Sequence, residues 1–182
     1  MAEGGVIMDS AMDFAGSVVG MAAPREVIEA LCLISVGYVG FDGRLHEGQL
    51  VVHRELASDL EAIFVLMEML KFPVTGAIPV ARYGWSDAAS MAADNTSAFN
   101  YRRIAGTNQL SSHANGRALD INPRRNPAVH PDGRIIPAGA AYRPGTPGTF
   151  TGEHPIVGAL LERGWRWGGH FEHIRDYHHF EK

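Results

Sequence analysis

The chain has 182 residues, 46% of them hydrophobic and 20% charged, which suits one globular domain whose core needs no disulfide. A net charge of −4 and the lack of any long basic run argue against a nucleic-acid partner, whose phosphates select clustered Lys and Arg. The single cysteine, Cys32, rules out an intramolecular disulfide and fits a reducing compartment without excluding export.

Residues 1–24 are apolar and rich in Gly and Ala, but Arg25 is the first positive side chain, so the basic start of a secretory signal is missing. Asp9 and Asp13 interrupt the run, and no stretch reaches the roughly 20 apolar residues of a membrane span. The segment reads as a leader, a helix or the remnant of a precursor, ahead of a single domain over residues 25–182. Pro24 suits the first turn of a helix over residues 25–31. Residues 31–41 then alternate Ile34, Val36 and Tyr38 with Ser35 and Gly37, a strand pattern in which Cys32 acts as a small hydrophobe. Asp42-Gly43 marks a turn, residues 45–47 lengthen the connection, and residues 49–53 return as a strand.

Leu56, Leu60, Ile63, Phe64, Met67 and Leu70 recur at helical spacing, so residues 55–71 form the clearest helix, ended by Pro73. Residues 78–83 suit a short strand, and residues 85–116 turn polar and irregular. Leu119 and Ile121 flank Asp120, so a strand there buries the two aliphatics and turns Asp120 to the opposite face. A long Pro/Gly-rich segment, 123–155, has the length of a functional or mobile loop. Residues 156–163 read as a helix capped by Gly164, with Trp165 and Trp167 as core residues beyond it.

Nine histidines are many for this length, and His154, His170, His173, His178 and His179 crowd the C-terminal end. Two runs hold metal-binding residue types: Ser111-Ser112-His113-Ala114-Asn115-Gly116-Arg117-Ala118-Leu119-Asp120, and Asp176-Tyr177-His178-His179-Phe180-Glu181. Hydrolytic zinc commonly takes three ligands from His, Asp and Glu and keeps a fourth position for water, whose pKa it lowers to about 7. His113, Asp120 and either His178 or His179 supply such a set, and Asp176 is a candidate proton acceptor. On a regular strand, residues 176 and 179 would face opposite sides, so this pairing requires a break between them.

Ser111, His113, Gly116, Ala118 and Asp120 fit S-x-H-x-x-G-x-A-x-D, and Asp176, His179 and Phe180 fit D-x-x-H followed by an aromatic residue. With Trp165-x-Trp167-Gly168-Gly169, these runs resemble the zinc D-alanyl-D-alanine carboxypeptidases and L-alanyl-D-glutamate endopeptidases, the VanY-like peptidases, from about residue 31 onward. The resemblance implies an α+β fold of the Hedgehog/DD-peptidase type, a small antiparallel sheet with helices packed on one side. It implies Zn²⁺ on His113, Asp120 and His179, Asp176 as general base, and Arg102 polarising the scissile carbonyl. Ser111 would support the site or bind substrate, and the partner would be a peptidoglycan stem peptide. The chain departs from the pattern at His170, which follows Trp-Gly-Gly where relatives often have an acidic residue. It departs also in the adjacent pair Arg102-Arg103 and in the long 123–155 insertion.

Two other functions compete. A non-catalytic zinc module would bind peptidoglycan or a protein; it needs neither Asp176 nor Arg102, and its metal is usually closed by four protein ligands, as when both His178 and His179 bind. A zinc amidase would use similar chemistry on the glycan–peptide bond.

Overall fold

In a computed structural model, which describes residues 5–182, the chain is a mixed α+β protein built on three small three-stranded sheets. Residues 1–4 of the expected leader or helix lie outside the described residues. Strand β1 (Ile7–Met8) and helices α1 (Phe14–Val18) and α2 (Arg25–Glu29) precede a long hairpin, β2 (Leu31–Val39) and β3 (Leu45–His53). β1 adds in parallel to β3, and β2 pairs antiparallel with it. Where the sequence suggests a lengthened connection at residues 45–47, the strand already runs. His46 is held by Asp9 and Asp42, with Nδ1 2.9 Å from Asp9 Oδ2, and Ile7 and Met8 pair with His46 and Glu47.

Alternation along the hairpin sorts its side chains between two layers. Ile34, Val36, Tyr38, Leu50 and Val52 pack with Leu60, Ile63, Phe64 and Met67 of α3 (Ala57–Met69), and Cys32 lies partly buried against them. Leu31, Leu33 and Val51 face the other way, against Phe14, Val18, Met21, Val27 and Phe99. Both faces of the hairpin are therefore covered, instead of one face of a single sheet.

The expected strand at residues 78–83 is a 3-10 turn over Val80–Tyr83. The Asn95 side chain takes the place of a strand partner: its Oδ1 accepts from the Ile78 N–H at 2.9 Å and its Nδ2 donates to the Ile78 carbonyl at 2.9 Å. A short helix, α4 (Asp87–Ala92), capped by the Ser86 side chain, lies within the stretch read as irregular.

The second sheet is β4 (Ala118–Asp120), β9 (His179–Glu181) and β7 (Arg166–Trp167), all antiparallel. Helix α5 (Pro155–Glu162) packs Ile156, Val157 and Leu160 into the same core as Leu119, Phe180, Trp165 and Trp167. His154 caps α5 and meets Phe72 and Phe150 edge-on. The third sheet, β6 (Ile135–Ile136), β5 (Ala128–Val129) and β8 (Arg175–Asp176), shows that the Pro/Gly-rich segment carries pairing strands.

Two buried asparagines pin that segment. Asn122 accepts from the Thr75 N–H and donates to the carbonyls of Pro73 and Gly148. Asn126 donates to the carbonyls of Ile121 and Gly148 and accepts from the Phe150 N–H at 2.8 Å. Replacing Asn126 by Ala strands the Phe150 N–H and the Ile121 carbonyl, while the Gly148 carbonyl keeps its bond from Asn122. The variant should lose at least about 1–3 kcal/mol of stability, the cost of one buried polar group without a partner. Urea denaturation measures this, and an unchanged midpoint would contradict the assigned role.

Candidate metal centre

His113 sits in a 3-10 turn over Ser112–Asn115 whose start is capped by Ser111, the Ser111 Oγ accepting from the His113 N–H. Gly116 closes the turn at φ 64°, in the left-handed region that suits glycine. A Cβ there would stand 2.7 Å from the His53 nitrogen, and the Gly116 carbonyl instead accepts that N–H at 2.9 Å. The motif's glycine thus lets the His113 turn lie directly on β3.

Asp120 and His179 are direct partners in the β4–β9 register, as are Leu119 and Phe180. Because side chains alternate, one pair of positions turns to the site and the next enters the core, where Leu119 and Phe180 are fully buried. Residues Tyr177 and His178 form a turn between β8 and β9, the break that the Asp176–His179 spacing requires. Gly168 allows the close approach of this segment: a Cβ there would lie 2.4 Å from the Asp176 carbonyl oxygen.

The structure brings His113, Asp120 and His179 together, with one potential ligand atom from each within 4.8 Å of the others. Asp120 Oδ1 lies 3.1 Å from His113 Nε2 and 3.0 Å from His179 Nδ1. His113 Nδ1 donates to the Ala98 carbonyl at 2.6 Å, which leaves Nε2 to face the cluster. His179 points its other nitrogen, Nε2, at Glu181 Oε2, 3.4 Å away. Glu181 in turn accepts from the Ser112 hydroxyl and pairs with Arg166. Sequence reasoning assigned Glu181 no role. Its signal is the H-x-E spacing, which on a strand puts both residues on one face.

His178 is buried and lies outside the three-residue cluster. Its Nδ1 is 2.8 Å from the Asn126 carbonyl, and its Nε2 is 3.0 Å from Asp176 Oδ1 and 3.8 Å from Asp120 Oδ2. Both nitrogens thus face only acceptors. The cluster lines a cleft of about 390 Å³, with Asp176, Arg102 and Ser111 in its wall and Ile104, Leu110 and Phe171 as apolar lining. Arg102 Nε is 3.1 Å from Asp87 Oδ1 on α4. Arg103 turns away to the Asn108 carbonyl.

Charge is concentrated here. Burial would raise the Asp120 carboxyl, but the His113 and His178 rings and the hydrogen bond from His179 outweigh it and hold it well below the usual carboxylate range. Burial would lower His179, yet its contacts with Asp120 and Glu181 raise it to about 10. His178 follows the same logic: burial lowers it, and Asp176 and Asp120 carry it up to about 9. The hydrogen bond from His179 draws Glu181 down to about 2.

Residues 105–182 match the model of a peptidase family described as D-alanyl-D-alanine carboxypeptidase. Over that stretch, somewhat less than half of its length, the chain is similar to this peptidase family. No curated protein and no solved structure matches the chain. The matched stretch holds the three clustered residues, Asp176 and the β4–β9–β7 sheet; Arg102 and the β2–β3 hairpin precede it. Among the described residues, no helix is long and apolar enough to cross a membrane.

The donor set fits a divalent cation: two imidazoles and one buried carboxylate converge, with the second nitrogen of each imidazole already facing an acceptor. A metal at His179 Nδ1 replaces a proton that this residue holds up to about pH 10. Zinc affinity should therefore rise with pH between 6 and 8, by up to about tenfold per unit for each proton displaced. Chelator-competition titrations at pH 6, 7 and 8 measure it, and a flat affinity would contradict the assigned protonation.

Proposed function

We propose that this chain is a zinc peptidase that hydrolyses peptidoglycan stem peptides, at the D-Ala-D-Ala or the L-Ala-D-Glu bond. The observation that carries the reading is the clustering of His113, Asp120 and His179 on the floor of one cleft with Asp176 in its wall. The family match over residues 105–182 supports the peptide substrate.

His113, Asp120 and His179 would hold the zinc, which supplies Lewis acidity and a water acidic enough to react at neutral pH. Asp176 takes the proton of the attacking water and returns it to the leaving amine. Its carboxylate is held beside His178 Nε2, so it is aimed from a side chain that is itself anchored to the Asn126 carbonyl. Arg102 steadies the oxyanion that develops on the scissile carbonyl. Ser111 fixes the turn that presents His113 and borders the substrate. Glu181 accepts from His179 Nε2 and keeps Nδ1 directed at the metal.

The competing non-catalytic module is disfavoured by His178: its two nitrogens face Asn126 and Asp176 and supply no fourth ligand.

Incubating zinc-loaded protein with defined muropeptides, followed by mass spectrometry with a chelated control, tests the proposal. Chelator-sensitive loss of one terminal D-Ala, or separation of L-Ala from D-Glu, is expected; intact muropeptides with folded, zinc-replete protein would overturn it. Asp176→Asn should lower kcat about 10²–10⁴-fold with zinc retained, and a fully active variant would remove Asp176 from the base role.

A further inference from the structure

A second polar cavity, of about 250 Å³, shares no lining residue with the metal cleft. Arg124, Arg125 and Arg143 all line it, together with Thr146, Thr149 and one carboxylate, Asp94. Three of the chain's sixteen Lys and Arg residues thus meet in one small pocket of a protein whose net charge is −4. Like charges so gathered repel one another unless an anion joins them.

Asp94 offsets at most one of the three positive charges. Its Oδ1 accepts from the Arg124 backbone N–H at 2.7 Å and its Oδ2 from the Thr75 hydroxyl at 2.6 Å. Arg125 reaches Asp94 only at 3.8 Å, and its Nε is buried without a hydrogen-bond partner. The Arg125 guanidinium is nonetheless held in place, 3.7 Å above the Phe41 ring. Among the described residues, the guanidinium groups of Arg124 and Arg143 make neither a hydrogen bond nor an ion pair. Thr149 is buried, with its hydroxyl 3.0 Å from that of Thr146. An adjoining cavity of about 410 Å³ shares Thr146 and Thr149 and carries Lys71 on its wall.

We propose that this pocket binds a phosphate group, with the guanidinium forks of Arg124, Arg125 and Arg143 on its oxygens and the rest of the ligand running into the adjoining cavity towards Lys71. Guanidinium matches a tetrahedral oxyanion with paired, charge-assisted hydrogen bonds, and three of them favour a multiply charged phosphate over a single carboxylate. On the peptidase reading proposed above, the pocket is a second handhold for a phosphate-bearing polymer, in a cavity that shares no lining residue with the metal cleft.

Inorganic phosphate, glycerol 3-phosphate and a glycerol-phosphate oligomer, titrated separately into the full chain and followed by ¹H–¹⁵N NMR, test it; sodium acetate at equal ionic strength is the control. Phosphate should shift the Thr146 and Thr149 amides and the Arg Nε resonances, and the double variant Arg124→Gln/Arg143→Gln should bind about tenfold or more weakly. Both arginines are exposed, and unchanged resonances for the core Leu60 and Phe180 show that the variant stays folded. Tighter binding of the oligomer than of inorganic phosphate supports a polymer as the ligand, and the reverse order overturns that part. Equal shifts with acetate, wild-type affinity in the double variant, or shifts confined to His113 and His179 would overturn the site.

Discussion

The cross-strand pairing of Asp120 with His179 is the interaction on which the site depends. A register slip of one residue would put Leu119 or Phe180 in the cleft and drive a carboxylate or an imidazole into the core. The full burial of Leu119 and Phe180 therefore acts as the lock on the geometry of the candidate metal site. Phe180 is held further by Trp167 across the sheet and by Phe150 edge-on. The hydrophobic contacts and the polar cluster are two faces of one pair of strands.

Around that pairing, the rest of the molecule supplies position. The long hairpin accepts the His113 turn through the Gly116 carbonyl, and Ala98 fixes the ring of His113 from the opposite side. The Pro/Gly-rich insertion does more than connect: β5 pairs with β8 at Ala128 and Asp176, and the Asn126 carbonyl anchors His178. Asn126 thus links the loop, the core backbone at Phe150 and the neighbour of the proposed base. The same insertion carries Arg124, Arg125 and Arg143, so one segment borders the arginine pocket and braces the proposed active-site cleft.

The clustering of His113, Asp120 and His179 was legible in the sequence because these residue types are chemically uncommon in combination and their spacing is short and regular around His113 and Asp120. Helix α3 was legible from its periodicity, and the requirement for a break between Asp176 and His179 followed from strand geometry alone. Other features depend on partners far along the chain. Residues 45–47 gain strand structure from Asp9 and β1, and Ile78 loses it to the amide of Asn95. β5, β6 and β8 have two residues each, too few to show alternation, and become strands only by pairing with one another. Glu181 was visible as H-x-E, but its meaning needed Ser112 and Arg166 beside it. Arg102 lines the cleft and Arg103 does not, a difference that the adjacent pair does not carry in its sequence.

The central claim is that His113, Asp120 and His179 form an open, three-ligand site with His178 outside it. X-ray absorption spectroscopy of the zinc-loaded protein tests this most directly, because multiple scattering counts imidazole rings. The account predicts two imidazoles and a shell of N/O donors at about 2.0–2.2 Å, with part of it exchangeable for an added anion. Three imidazoles in a closed, non-exchanging shell would place His178 on the metal and contradict the account.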